Sequence, residues 1–324
     1  MTPGRYLVTV FALIAVLTVA TGVYAFTEMG RETGNGFANC AYIARKIGLA
    51  SRVDSPKLLI IGGSNAAAGI DASAVAKELQ VNAFNFSLFA TFSPGFDLYQ
   101  ARKVLHEGDA ALLAFEYLAY EYETPTNALV DTVYTCGTDY WRSLDWTRRL
   151  LFVFAIRPQR YFSTLTFNGE ISQSALRMVD SAIAPDGNLG NPLPAPTPES
   201  NDHQPLVIRF RKNSNGTAQI ADFVRWAKAN GVTVFATWPN TLYFKEYEAN
   251  PAFAQIADFY RSLGVEMIGT PRDAMVSSEY LAETIYHLTA PGIALRTKKL
   301  AEALGNVEAF ANWQDRAEPV VTSD

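Results

Sequence analysis

The sequence predicts an α/β fold built around a parallel sheet. Short apolar runs of strand length alternate with amphipathic stretches of helix length. The runs lack the polar alternation of a half-exposed strand and close on glycines or small polar residues, as strands buried on both faces do. Strand–helix–strand repeats at this spacing need right-handed crossovers, and therefore parallel pairing. A chain of 324 residues is long enough to bury one large core in such a sheet.

The first element is not part of that sheet. Arg5 precedes an uncharged apolar run from Tyr6 to Phe26, about 20 residues and enough to cross a hydrocarbon core. The run ends in Val23-Tyr24-Ala25, a small-residue pattern that resembles a signal cleavage site. Two readings stand: an uncleaved single-pass anchor over residues 1–28, or a removable signal peptide. The anchor is favoured because the run exceeds the usual signal core of about 7–15 residues. Either one exports the rest of the chain. Arg5 and the free amine then hold the N-terminus inside, on the cytoplasmic face of the inner membrane.

Residues 29–311 are expected to form the α/β domain. A short helix around Cys40 to Ile47 precedes the first strand, Lys57 to Ile61, which closes on Gly62-Gly63. Asp71 is placed to cap a helix through Leu79. Val81 to Phe86 reads as the second strand, Gly95 to Leu105 as a helix, and Ala110 to Phe115 as the third strand. The pattern then breaks. Residues from about 117 to 210 read as a mostly helical insertion ending in a Pro-rich loop, Asn191 to Pro198. Within it, Leu150 to Ile156 is apolar and bracketed by Arg148, Arg149 and Arg157. Such a face either lies on a membrane or membrane partner, or is an ordinary helix packed on the domain. The alternation resumes with a helix at Thr217 to Asn230, a strand at Thr233 to Thr237, a helix at Pro251 to Leu263, a strand at Val265 to Ile268 and a terminal helix at Ala290 to Leu304. Residues 312–324 read as a polar, frayed tail.

Composition narrows the function. A net charge of −5 and a pI near 5.4 offer no basic stripe for a nucleic acid. Three histidines and two distant cysteines give no metal-ligand spacing, and neither a metal nor a cofactor is expected. In an oxidising compartment Cys40 and Cys136 either pair or remain separate thiols.

In an open parallel sheet, ligands bind beyond the carboxyl ends of the strands. Gly62-Gly63-Ser64-Asn65 leaves the first strand at that edge, so Ser64 is a candidate nucleophile and its own amide a candidate oxyanion donor; the bland alternative is a glycine-rich turn with a capping serine. Of the histidines, His106 falls at the amino edge and His203 in a polar loop. His287 falls at the carboxyl edge, just before a helix that Thr289 is placed to cap and Pro291 to start. Glu283, four residues earlier, is placed to orient its imidazole, with Asp273 as the rival carboxylate.

IIGGSNAAAGID and ETIYHLTAPGIALRT resemble the first and last sequence blocks of SGNH/GDSL hydrolases. They are most similar to the membrane-anchored branch resembling proteins of teichoic-acid D-alanylation and exopolysaccharide O-acetylation. The resemblance covers about residues 57–116 and 217–304. It implies a flavodoxin-like three-layer α/β/α sheet, with Ser64 as nucleophile and His287 as base. It further implies extracytoplasmic O-acyl transfer to a polysaccharide acceptor, and a multi-spanning membrane acyltransferase supplying the acyl group. An esterase, or a non-catalytic polysaccharide-binding scaffold of the same fold, is the alternative. Two positions depart from the family pattern. Gly-Gly-Ser-Asn stands where the first block has Gly-Asp-Ser, and Thr284 stands where the last block has an aspartate. Candidates for oxyanion or substrate contact are Gly63, Asn65, Asn85, Gly95 and Asn240. Glu116 ends the third strand where the family's asparagine block falls, and is expected to serve substrate or structure, since a carboxylate repels an oxyanion.

Overall fold

Every residue of β1 (Lys57–Gly62) and of β3 (Ala110–Ala114) is buried, because helices cover both faces of the sheet to which they belong. The computed structural model describes residues 3–167, 179, 181–190, 193 and 203–317. The other strands are β2 (Asn82–Asn85), β4 (Thr233–Thr237), β5 (Thr241–Leu242), β6 (Glu266–Ile268) and β7 (Met275–Val276). Five of these form one wholly parallel sheet in the order β2-β1-β3-β4-β6, while β5 and β7 pair separately. From β1 the chain steps outward to β2 and later returns to the other side of β1 as β3. That reversal is a topological switch point, and it opens the crevice between the carboxyl ends of β1 and β3.

The described helices are α1 (Pro3–Glu28), α2 (Gly34–Ala50), α3 (Ser64–Ala67), α4 (Ala72–Leu79), α5 (Pro94–Ala101), α6 (Asn127–Thr135), α7 (Thr138–Ser143), α8 (Trp146–Ala155), α9 (Pro158–Thr166), α10 (Asn215–Ala229), α11 (Ala252–Ser262), α12 (Ala290–Gly305) and α13 (Glu308–Ala317). One face of the sheet packs Leu58, Ile60, Leu112, Phe235 and Ile268 against Val75 of α4, Leu300 and Leu304 of α12, and Phe310 and Trp313 of α13. Asp71 caps α4 as expected, accepting the amides of Ser73 and Ala74. At the amino edge, Asp109 accepts the amides of Lys57 and His106 and pairs with the Lys57 ammonium at 3.1 Å, which locks β1 to β3 where no ligand is expected.

The chain divides into two compact units, Met1–Ala41 with Thr124–Leu176, and Tyr42–Glu123 with Arg177–Asp324. The second holds the sheet. The first holds α1, the start of α2 and α6 to α9. Helix α1 is long and apolar enough to cross a membrane, and Tyr6 to Val23 expose their large side chains. Its last turns differ: Ala25 and Glu28 are fully buried, and Glu28 pairs with Arg31 at 2.7 Å and with Arg160 at 3.7 Å. Arg160 also pairs with Asp131. Of the residues that resemble a cleavage site, Ala25 is fully buried in this unit, Tyr24 is half-buried and Val23 is exposed. Cys40 and Cys136 are joined by a disulfide across 96 residues, so the separate-thiol alternative falls away.

Other expectations need correction. The helix expected over Cys40 to Ile47 runs from Gly34 to Ala50. The helix expected to reach Leu105 ends at Ala101. Residues 312–324 are not a frayed tail from their start: α13 continues to Ala317, with Trp313 buried and its indole donating to the Gly108 carbonyl at 2.8 Å. Helix α12 is therefore not terminal. The insertion is helical over its described stretch to Thr166, and most of the Pro-rich stretch lies outside the described residues.

Candidate functional site

Gly62 lies opposite Ala114 in the register, and a side chain there would strike the Ala114 carbonyl. The chain then passes through extended Gly63 into α3, whose first residue is Ser64. Ser64 is partly exposed, and its hydroxyl makes no hydrogen bond among the described residues. Asn65 is fully buried, with both side-chain polar atoms unpartnered among the described residues. The same holds for the Ser87 hydroxyl beyond β2 and the Tyr117 hydroxyl beyond β3. Three consecutive strand ends of the sheet thus present enclosed hydrogen-bonding groups, as a polar ligand site at a switch point requires.

Glu116 governs this edge. Its carboxylate accepts the Asn65 amide at 2.9 Å and is also held by the amides of Gly63 and of Glu116 itself. A side chain at Gly63 would overlap that carboxylate, which would have to move to admit it. Burial pushes the Glu116 carboxyl up to about 7 against the lowering effect of these three amides. Asp97, in the first turn of α5, is buried beside it, and its Oδ1 has no hydrogen-bond partner among the described residues. Burial, and next the Glu116 charge, raise Asp97 well above the ordinary carboxylate range. Two carboxyls in one apolar enclosure resist joint ionisation.

The histidine reaches this edge on a closed loop. Leu281 and Leu288 form an antiparallel bridge, the Ala282 amide donates to the His287 carbonyl at 2.9 Å, and the Thr289 amide donates to the Tyr280 carbonyl at 2.9 Å. Thr284 accepts the His287 amide on its hydroxyl at 3.1 Å, so the residue standing in place of an aspartate shapes the loop. The Leu288 amide donates to the Ala68 carbonyl at 3.1 Å, which ties the loop to the residue that follows Ser64-bearing α3. His287 Nδ1 meets Glu283 Oε1 at 2.7 Å. With Nδ1–H directed at a carboxylate, Nε2 is left as the acceptor, the tautomer a general base needs. The imidazole is 18% exposed and the carboxylate 49%, so the pair sits at the rim. Ser64 and His287 share no hydrogen bond in this structure; their elements are joined through the main chain.

The remaining sequence candidates divide. The Gly63 and Asn65 amides lie at the site but are occupied by Glu116. Asn85 is consumed by the fold: its Nδ2 donates to the carbonyls of Ala66 and Ile70, and its Oδ1 accepts the Ser87 amide. The Gly95 amide is spent on Gln219 Oε1 at 2.9 Å, which removes it as an oxyanion donor. Asn240 donates to the Tyr286 carbonyl and so supports the histidine loop. The rival Asp273 is engaged in a capping box with Thr270. Thr289 caps nothing with its side chain; its hydroxyl bonds the Tyr280 carbonyl instead. His106 lies at the amino edge beside Asp109, and His203 Nε2 has no partner among the described residues.

Sequence reasoning missed Asp97, and it missed Tyr286, which is half-buried within reach of the Glu116 charge. An acid at the end of an otherwise apolar strand was a usable signal for Glu116. Nothing local distinguishes Asp97 from a first-turn aspartate that favours the helix dipole. No group of His, Cys, Asp and Glu among the described residues is arranged to hold a metal ion. No protein-family model matches this chain, and no curated protein matches it.

Proposed function

We propose that the chain is a membrane-tethered, extracytoplasmic acyl-transfer enzyme of the SGNH type, acting on an exported or cell-surface polysaccharide. The observation that carries the proposal is the Glu283–His287 pair at 2.7 Å, on a loop hydrogen-bonded to the segment beyond Ser64. His287 Nε2 takes the Ser64 proton as Oγ attacks the acyl carbonyl, and returns it to the departing group of the donor. A sugar hydroxyl then gives its proton to His287 and attacks the acyl-serine, and Ser64 leaves with that proton. Glu283 holds the imidazole in the required tautomer and stabilises its cation. The amides of Gly63 and Asn65 are the available oxyanion donors, and they serve only when the Glu116 carboxyl releases them. A multi-spanning membrane acyltransferase delivers the acyl group, since acyl thioesters are cytosolic, and α1 keeps the two together. Water in place of the sugar makes the same centre an esterase.

A specific observation favours a second reading, a non-catalytic polysaccharide-binding module. Glu116 holds the two amides that an oxyanion would need, and the Ser64 hydroxyl has no base bonded to it. The test gives the purified full chain a chromogenic acetyl ester with and without oligosaccharide. Transfer gives acetylated oligosaccharide and none from Ser64→Ala. Free acetate released at a rate indifferent to the acceptor leaves an esterase. No turnover, together with normal polymer acylation in cells carrying Ser64→Ala, leaves the binding module.

A further inference from the structure

Helices α8 and α9 expose an apolar face. Trp146, Leu150 and Phe154 follow one another at four-residue spacing along α8, with the buried Phe152 on the opposite side and the buried Val153 flanking the stripe. Trp146 is 72% exposed and Phe154 58%. On α9, Phe162 is 65% exposed and Leu165 57%. Side chains of this size are not left in water along one helical stripe without a surface to meet.

The end of α1 locates that surface. The Tyr24 hydroxyl donates to the carbonyl of Arg157, the residue joining α8 to α9, at 2.9 Å. Phe26 packs edge-on against Trp141 with ring centroids 5.9 Å apart. At about 1.5 Å per residue, the stretch of α1 from Tyr6 to Tyr24 spans about 27 Å, close to a hydrocarbon core of about 30 Å. A span inserted over that length leaves Tyr24 at the bilayer boundary, and its bond to Arg157 brings the α8–α9 turn to the same level. Aromatic and aliphatic side chains beside an exposed arginine are the composition of a helix lying in the interface. The Arg157 guanidinium makes no hydrogen bond among the described residues and is exposed, available to lipid phosphates.

We propose that α8 and α9 rest on the bilayer that α1 enters, with Trp146, Leu150, Phe154, Phe162 and Leu165 sunk into its headgroup–acyl boundary. The proposal depends on α1 being a retained anchor. It does not depend on the chemistry at Ser64. A membrane seat of this kind makes the helical unit monotopic as well as anchored.

Spin labels on the full chain test it in nanodiscs of phosphatidylethanolamine and phosphatidylglycerol. Both native cysteines are in the disulfide, so a single introduced thiol labels alone. Labels at Leu150→Cys, Phe154→Cys and Phe162→Cys are compared with Val16→Cys in the span and with Lys228→Cys at an exposed position of α10. Collision with oxygen, which partitions into lipid, is set against collision with a water-soluble nickel chelate. The expected result is an oxygen-to-nickel ratio at the three sites several-fold above that at Lys228→Cys and approaching that at Val16→Cys. Ratios equal to that at Lys228→Cys overturn the proposal. So do labels that neither reagent reaches, which would mean a protein covers the face. Nickel access at Val16→Cys removes the anchor itself, and the proposal with it.

Discussion

Replacing Glu116 with glutamine separates the charge at the sheet edge from its shape. In the folded chain burial lifts this carboxyl from 4.5 to about 7. Between those values the folded state binds a proton that the unfolded state has lost, so stability falls as pH rises through the window and levels off above it. At about 1.4 kcal/mol per pKa unit, the loss from Glu116 is on the order of 3 kcal/mol. Glutamine does not titrate, and its carbonyl oxygen can still accept the Asn65 amide. Its amide nitrogen then faces donors, so the variant loses stability at pH 4.5, where the wild-type carboxyl is still protonated, and is relieved of the buried charge at pH 8. The assay is urea unfolding of the full chain in mild detergent from pH 4 to pH 8, followed by tryptophan fluorescence. The expected result is a wild-type fall of on the order of 3 kcal/mol across the range, flattened in Glu116→Gln. Asp97 keeps a slope of its own in the variant, because its raised pKa owes more to burial than to Glu116. An unchanged pH dependence in Glu116→Gln would refute the account of a buried carboxyl at the switch point.

Three further outcomes follow from the same geometry. Glu283→Gln should lower kcat/KM on a chromogenic acetyl ester about 10- to 100-fold with KM unchanged, less than loss of a buried triad acid, because this carboxylate is half exposed and water replaces part of its effect. Replacing Cys40 and Cys136 together by serine should destabilise the helical unit by up to about 5 kcal/mol, from the 96-residue loop it leaves open. Calorimetry should show that transition moving down while the sheet unit melts as before. Gly63→Ala should cost about 1–3 kcal/mol of stability in urea unfolding, because its methyl overlaps the Glu116 carboxylate; stability equal to wild type would mean that the carboxylate does not occupy the turn.

The five strands of the main sheet were legible chiefly through apolar runs closed by turn residues, which burial on both faces writes into β1 and β3, whereas the two-residue β5 and β7 were not read. Helix α13 was not, because Phe310 and Trp313 are only two apolar anchors in a polar stretch; their burial depends on α12 and the sheet, which no local window contains. The rim of the site was legible at His287 and Glu283, which lie four residues apart on one loop. Its interior was not. Glu116 and Asn65 are 51 residues apart and meet only because β1 and β3 are neighbours. Asn85 and Gly95 looked available in sequence, yet the first is committed to the backbone of α3 and its exit and the second to Gln219 of α10.

The most direct measurement exposes the folded full chain to a serine-reactive fluorophosphonate and maps the adduct by mass spectrometry, in the wild type and in His287→Ala. A phosphonylated Ser64 that disappears in His287→Ala is the result expected if that imidazole activates that hydroxyl. A folded wild-type chain whose Ser64 stays unmodified, or is modified equally without His287, would contradict it.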